Sequence, residues 1–191
     1  IMKRKVFAAL LATAMVGTKL AGCGTPGSKS GGGDGNSDEK VFRYSTSTEP
    51  TTLDPTKGNC IPDNEIAHAL TESLVRNTGG EIEPGVAESW EVSEDGLTYT
   101  FHLNPDAKWS DGEQIKAQDF VYSWQRLMNP DTAAPYAFIG EYLKNGLAVE
   151  KGQMDPSQLG VVAQDDRTLV VTLERPTAYF LSLIGSSAQY A

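Results

Sequence analysis

The chain has 191 residues, 39% of them apolar and 21% charged, with a net charge of −9 and a sequence pI near 4.7. That acidic balance lacks the basic footprint that nucleic-acid binding requires, so DNA and RNA are set aside as partners. Two cysteines (Cys23, Cys60) and two histidines (His68, His102) supply neither a disulfide framework nor the clustered ligands of a metal site.

Lys3, Arg4 and Lys5 form a short cationic start, and an almost uninterrupted apolar run from Val6 to Val16 follows. At about 1.5 Å per residue this run is too short for a bilayer core of about 30 Å, and it reads as the h-region of a signal peptide over residues 1–22. The small residues of Leu20-Ala21-Gly22-Cys23 resemble a bacterial lipobox, which makes Cys23 the expected lipidation site and the mature N-terminus. Stable anchoring takes more than one acyl chain. The expected location is the extracytoplasmic face of the cell membrane, held by lipid. From Gly24 to Asn36, six of thirteen residues are glycine, so 23–39 reads as a lipidated cysteine with a flexible Gly/Ser linker. Removal of the first 22 residues leaves 12 cationic against 25 acidic side chains, a net charge of −13.

Val41-Phe42-Arg43-Tyr44 is predicted as a strand, and Thr52-Leu53-Asp54-Pro55 as the turn that closes it. A loop over Thr56–Pro62 leads to a helix capped by Asp63 or Asn64, with Ile66, Ala69, Leu70 and Leu74 at helical spacing. Asn77-Thr78-Gly79-Gly80 is predicted to stop that helix. Next comes a β-hairpin. Trp90 and Val92 alternate on one arm, Ser93-Glu94-Asp95-Gly96 makes the turn, and Leu97, Tyr99, Phe101 and Leu103 alternate on the other. One face is apolar and the other polar, so the sheet covers a core on one side, with His102 outward. A second helix carries Phe120, Val121, Trp124, Leu127 and Met128 on one face and ends at Asn129-Pro130. Leu169, Val171 and Leu173 form a later strand. Pro176 opens a last predicted helix with Tyr179, Phe180, Leu183 and Ile184 inside. Strands and helices without βαβ regularity give the fold class α+β. The chain stops at Ala191 with no terminal signal, and a fragment of a longer protein is expected.

The run Pro84–Leu103 (PGVAESWEVSEDGLTYTFHL), with Ala107–Gly112 (AKWSDG) and Asp119–Trp124 (DFVYSW), resembles the oligopeptide-binding family of extracytoplasmic solute-binding lipoproteins. These proteins serve ABC importers, and the family includes dipeptide-, nickel- and oligosaccharide-binding members. Asn129–Tyr136 (NPDTAAPY) resembles the oligopeptide branch. The resemblance implies the N-terminal part of a two-lobed, periplasmic-binding-protein-like fold with an inserted domain. Residues 40–71 would start the first lobe, and 72–191 would form most of the inserted domain, truncated. It implies an oligopeptide ligand, permease and separate ATPase subunits as partners, a monomer, and no cofactor. Other family ligands, namely nickel complexes, oligosaccharide or a signalling peptide, stay open, as does a surface lipoprotein without a transport role.

By the same resemblance, Asn59, Cys60 and Ile61 contact the ligand, and Tyr136 reaches it from the inserted domain. An extended peptide presents regularly spaced N–H and C=O groups that such a segment can pair with as a neighbouring strand would. The family often has an acid and then a glycine where Asn59 and Cys60 stand here. Both departures bear on the choice of ligand. Cys60 itself reads as a small buried hydrophobe, and the three tryptophans read as core or turn packing. At the start of the second helix Lys116 replaces the family's threonine cap while Asp119 is kept, so half of a capping box is missing. An enzyme is not expected. Asp111 and Glu113 lie in a turn, and no nucleophile with its base, phosphate loop or zinc-protease motif is present.

Overall fold

A computed structural model describes residues 43–187. The predicted signal peptide, Cys23 and its linker, and Val41-Phe42 of the predicted first strand lie outside the described residues.

Helix α1 (Ile61–Leu70) is followed by a two-stranded hairpin of β1 (Val75–Thr78) and β2 (Glu81–Pro84). Thr78 pairs with Glu81, and both intervening residues, Gly79 (φ 64°) and Gly80 (φ 101°), have the left-handed backbone that a tight two-residue hairpin turn needs. Sequence reasoning took these glycines as a simple helix stop. The hairpin was missed because each strand is only four residues long and shows no clear alternation.

Strands β3 (Ala87–Val92), β4 (Thr98–Leu103), β5 (Val161–Asp165) and β6 (Thr168–Thr172) form an antiparallel sheet in the order β3-β4-β6-β5. The predicted β3–β4 hairpin is present, with Trp90 opposite Phe101 and Val92 opposite Tyr99. Its turn is held by Ser93 and Asp95: the Ser93 hydroxyl donates to Asp95 Oδ1 (2.6 Å), which also accepts from Leu97 N–H (3.0 Å). Tyr99, Phe101 and Leu103 are buried on one face of β4, and Leu169 and Val171 continue that face on β6. His102 lies on the outer face, as its register predicts. The short partner strand β5 carries only Val161 into the core and was not foreseen.

Helix α2 (Ala117–Met128) lies across β5 and β6 and buries Phe120, Val121, Trp124, Leu127 and Met128, the face read from its period. A single 3₁₀ turn at Pro130–Thr132 and a longer 3₁₀ segment at Ala137–Tyr142 follow, then the short helix α3 (Gly146–Glu150) and a further turn at Pro156–Gln158. Helix α4 (Phe180–Gly185) buries Phe180 and Ile184 and packs on β1. It begins four residues later than Pro176 suggested, because Tyr179 is the N-cap and is itself exposed. Phe180 closes on Tyr99 with ring centroids 5.0 Å apart. This is a mixed α+β arrangement around one core, which runs from Leu74 to Ile184.

Two corrections concern α1. It starts at Ile61 with Cys60 as N-cap, so Asp63 sits inside the first turn rather than ahead of it. It also ends at Leu70, where Thr71 turns extended (φ −121°, ψ 157°), so Leu74 belongs to the approach to β1. Ala69 and Leu70, expected on the inner face, are exposed, Leu70 at 70%.

Candidate functional site

The loop that precedes α1 folds back on itself. Lys57 and Gly58 both donate backbone N–H groups to the Asp54 carbonyl, at 3.0 and 3.1 Å. Gly58 is buried, and a Cβ there would stand 3.2 Å from Asp63 Cβ, so this position has almost no room for a side chain. Pro62 falls in the first helical turn, where its missing N–H is not required.

Asp63, the next residue, is 2% exposed and gathers the whole loop. Its Oδ1 accepts from Thr51 N–H (2.7 Å) and Thr52 N–H (3.3 Å). Its Oδ2 accepts from the Thr51 hydroxyl (2.7 Å) and Asn59 N–H (3.2 Å). Burial alone would raise the Asp63 pKa, but the bonds from Thr51 and Asn59 outweigh it and hold the carboxyl well below its usual range. An anion in the first turn also meets the positive end of the helix dipole.

A second clamp lies beside the first. Arg126 of α2 forms a bidentate pair with Asp54, Nη1 to Oδ1 at 2.8 Å and Nη2 to Oδ2 at 2.5 Å. Asp54 Oδ1 also accepts from Thr56 N–H (3.1 Å). The Arg126 guanidinium is the chief cause that lowers the Asp54 pKa, and Asp54 in turn raises that of Arg126. The loop is thereby fixed at one end to α1 and at the other to α2.

The clamped loop displays Asn59, Cys60 and Ile61. Asn59 is exposed, Ile61 is 71% exposed, and Cys60 is half-buried with an extended backbone (φ −129°, ψ 166°). Extended backbone beside two exposed neighbours suits main-chain pairing with an extended ligand. Tyr136 stands apart from this segment. It precedes the 3₁₀ turn at Ala137, packs against the core, and pairs with the exposed Phe138 at 5.7 Å between centroids. Among the described residues no hydrogen bond or ring contact joins it to Asn59–Ile61.

An open groove of about 740 Å³ runs between the end of α1 and α2, with Leu70, Trp109 and Tyr122 among its walls. None of the four expected ligand contacts lines it. Trp109 was read as packing, yet it is 49% exposed here, and its indole N–H donates to Asp119 Oδ2 (3.3 Å).

Residues 81–191 match the family model for bacterial extracellular solute-binding proteins, family 5, middle region. The chain belongs to that family. Family 5 relatives include the periplasmic oligopeptide-binding protein OppA of Haemophilus influenzae, 44% identical over 137 residues, 70% of this chain and 25% of that protein. Another is the probable deoxycholate-binding periplasmic protein YgiS of Escherichia coli, 42% identical over 150 residues, 77% of this chain and 28% of that one. Among solved structures, the Haemophilus influenzae OppA complex with the peptide RPPGFSPFR superposes with a TM-score of 0.70 at 41% identity, over 74% of this chain and 28% of that chain. This chain therefore spans about a quarter of the length of these relatives, and it shares the periplasmic-binding-protein-like fold. Family 5 proteins bind solutes; they are not enzymes.

Asp63 and Arg126 are the two site residues that sequence reasoning missed. Asp63 was read as a helix cap. An acid three residues past the cap, after a proline and a threonine-rich turn, is the signal that could have marked it. Arg126 carries no such signal, because its partner lies 72 residues away.

Proposed function

We propose that these residues are the N-terminal part of a two-lobed, substrate-binding lipoprotein that captures short peptides outside the membrane for an ABC importer. In this reading Cys23 carries the lipid, 23–39 is the tether, 40–71 begins the first lobe and 72–191 belongs to the inserted domain. Permease and ATPase subunits are the partners, and the protein acts as a monomer without a cofactor. Asn59, Cys60 and Ile61 pair with the peptide main chain, and Tyr136 meets it from the inserted domain.

The observation that carries the reading is the outward-facing Asn59–Ile61 segment, extended at Cys60 just ahead of α1 and held on one side by the buried Asp63 hydrogen-bond cluster and on the other by the half-buried Asp54–Arg126 pair. A ligand recognised through its backbone needs such a preformed edge, because an edge that had to order on binding would lose affinity to entropy. The peptide-bound relative of the same fold adds support. No helix among the described residues is long and apolar enough to cross a membrane.

Calorimetry of the full-length, unlipidated protein tests the proposal. Mixed peptides of two to six residues should give saturable heat. Deoxycholate, nickel and oligosaccharides, run in parallel, should give none. Binding to one of these without any peptide signal would replace the peptide reading with that ligand, and Asn59 and Cys60 would then mark the change.

A further inference from the structure

Among the described residues, no cation pairs with the Asp63 carboxylate. Its four donors are Thr51 N–H, Thr51 O–H, Thr52 N–H and Asn59 N–H, none of them charged. A carboxylate offers about four lone-pair directions, so this one is saturated. One of the donors belongs to Asn59, and three to a stretch that lies eleven to twelve residues before Asp63. One side chain thus joins the approach to the loop, the segment proposed to meet ligand, and the first turn of α1.

The rest of α1 cannot do this by packing. Within the helix only Pro62, Asp63 and Ala67 are buried. The Cys60 side chain makes no cap bond to the helix backbone, so helix capping does not hold the segment either. Gly58 adds a steric constraint, since its backbone lies against Asp63 Cβ.

We infer that Asp63 is the positioning residue of the binding segment: it holds Asn59–Ile61 outward, with Cys60 extended, before ligand arrives. This deepens the peptide-binding proposal and rests on it for the word ligand. Asn at position 63 would keep the shape but lose the charge and one acceptor oxygen, and it would turn an amide N–H₂ toward groups that are themselves donors.

The test is hydrogen exchange on the unliganded, full-length protein, with calorimetry on the same samples. In Asp63→Asn, the amides of Thr51, Thr52 and Asn59 should exchange roughly tenfold to a hundredfold faster, the loss expected for hydrogen bonds to a charged group. The β4 and β6 amides should keep their rates. Peptide binding should weaken by about tenfold or more. Thr51→Val removes only the hydroxyl donor and keeps the carboxylate, so it should move the same amides in the same direction by a few-fold. Val171→Ala, a core truncation in β6, is the control: it should speed exchange in the sheet and leave peptide affinity unchanged. The inference is overturned if Asp63→Asn leaves the three loop amides protected, or if it speeds sheet and loop alike, as a general loss of stability would. A wild-type protein that takes no peptide sinks the functional reading alone, and the exchange rates then decide the role of Asp63.

Discussion

The two main helices begin in different ways, and the contrast explains where this fold is rigid. At the start of α2, Lys116 is the N-cap and its ammonium cannot accept a hydrogen bond. Asp119 Oδ2 accepts Lys116 N–H at 2.9 Å, so one half of a capping box survives. The missing half is offset by Asp166, whose carbonyl accepts Ala117 N–H (2.9 Å) and whose carboxylate pairs with Lys116 Nζ (2.9 Å). This polar work is incremental, because α2 buries six residues, Trp124 among them. At the start of α1 the balance reverses. Little apolar surface is buried, and the polar cluster around Asp63 determines the local structure. Helix α2 is held by its core, whereas the start of α1 is held by one acid.

Mutations should separate these regimes. The largest effect is expected for Trp124→Ala, which empties the centre of the core and should cost about 3–5 kcal/mol in denaturant unfolding. Arg126→Met comes next. It leaves the half-buried Asp54 without its partner and should cost about 1.5–3 kcal/mol, with faster exchange confined to residues around 54–58. An equal loss of protection in the sheet would show that the clamp supports the whole domain, not only the loop. The smallest effect is expected for Lys116→Thr. It restores the missing cap hydroxyl and gives up only an exposed ion pair, so the unfolding midpoint should rise slightly. A fall would mean that the Asp166 contacts matter more at this helix start than capping does.

Acid should also act unequally. Asp54 and Asp63 have depressed folded pKa values, caused by Arg126 in the first case and by donors that outweigh burial in the second. A group of this kind stabilises the fold above its unfolded pKa, near 3.9, and that contribution is lost as pH falls through the lower folded pKa. Glu150 has the opposite sign: burial and the neighbouring Glu141 raise its pKa, so acidification relieves it. Stability from the two loop acids should therefore be flat between about pH 7 and pH 5 and decline below about pH 4, with the 51–63 segment opening before the sheet. Exchange measured across that range checks the order.

How much of this was legible follows the same division. The β3–β4 hairpin and the inner face of α2 were readable because each buries a periodic set of large apolar residues. The β1–β2 and β5 strands were not, since four or five residues with at most one buried position carry no period. The extent of α1 was misjudged for a related reason: Ala69, Leu70 and Leu74 have helical spacing, but the chain turns extended at Thr71 and only Leu74 enters the core. The expected ligand contacts Asn59, Cys60, Ile61 and Tyr136 came from family resemblance, not from pattern. The Asp54–Arg126 pair that holds one end of the loop acts across 72 residues, a distance that no local window spans.

The central claim is that the Asn59–Ile61 edge reads a peptide by its backbone. The most direct measurement compares one tetrapeptide with two sets of analogues, using calorimetry on the full-length, unlipidated protein. One set changes side chains, and the other methylates single backbone nitrogens. The account predicts that side-chain changes shift Kd only slightly, while N-methylation at a paired amide weakens binding by up to about tenfold, the net value of one hydrogen bond. Tolerance of every N-methyl group together with strong dependence on side chains would contradict it.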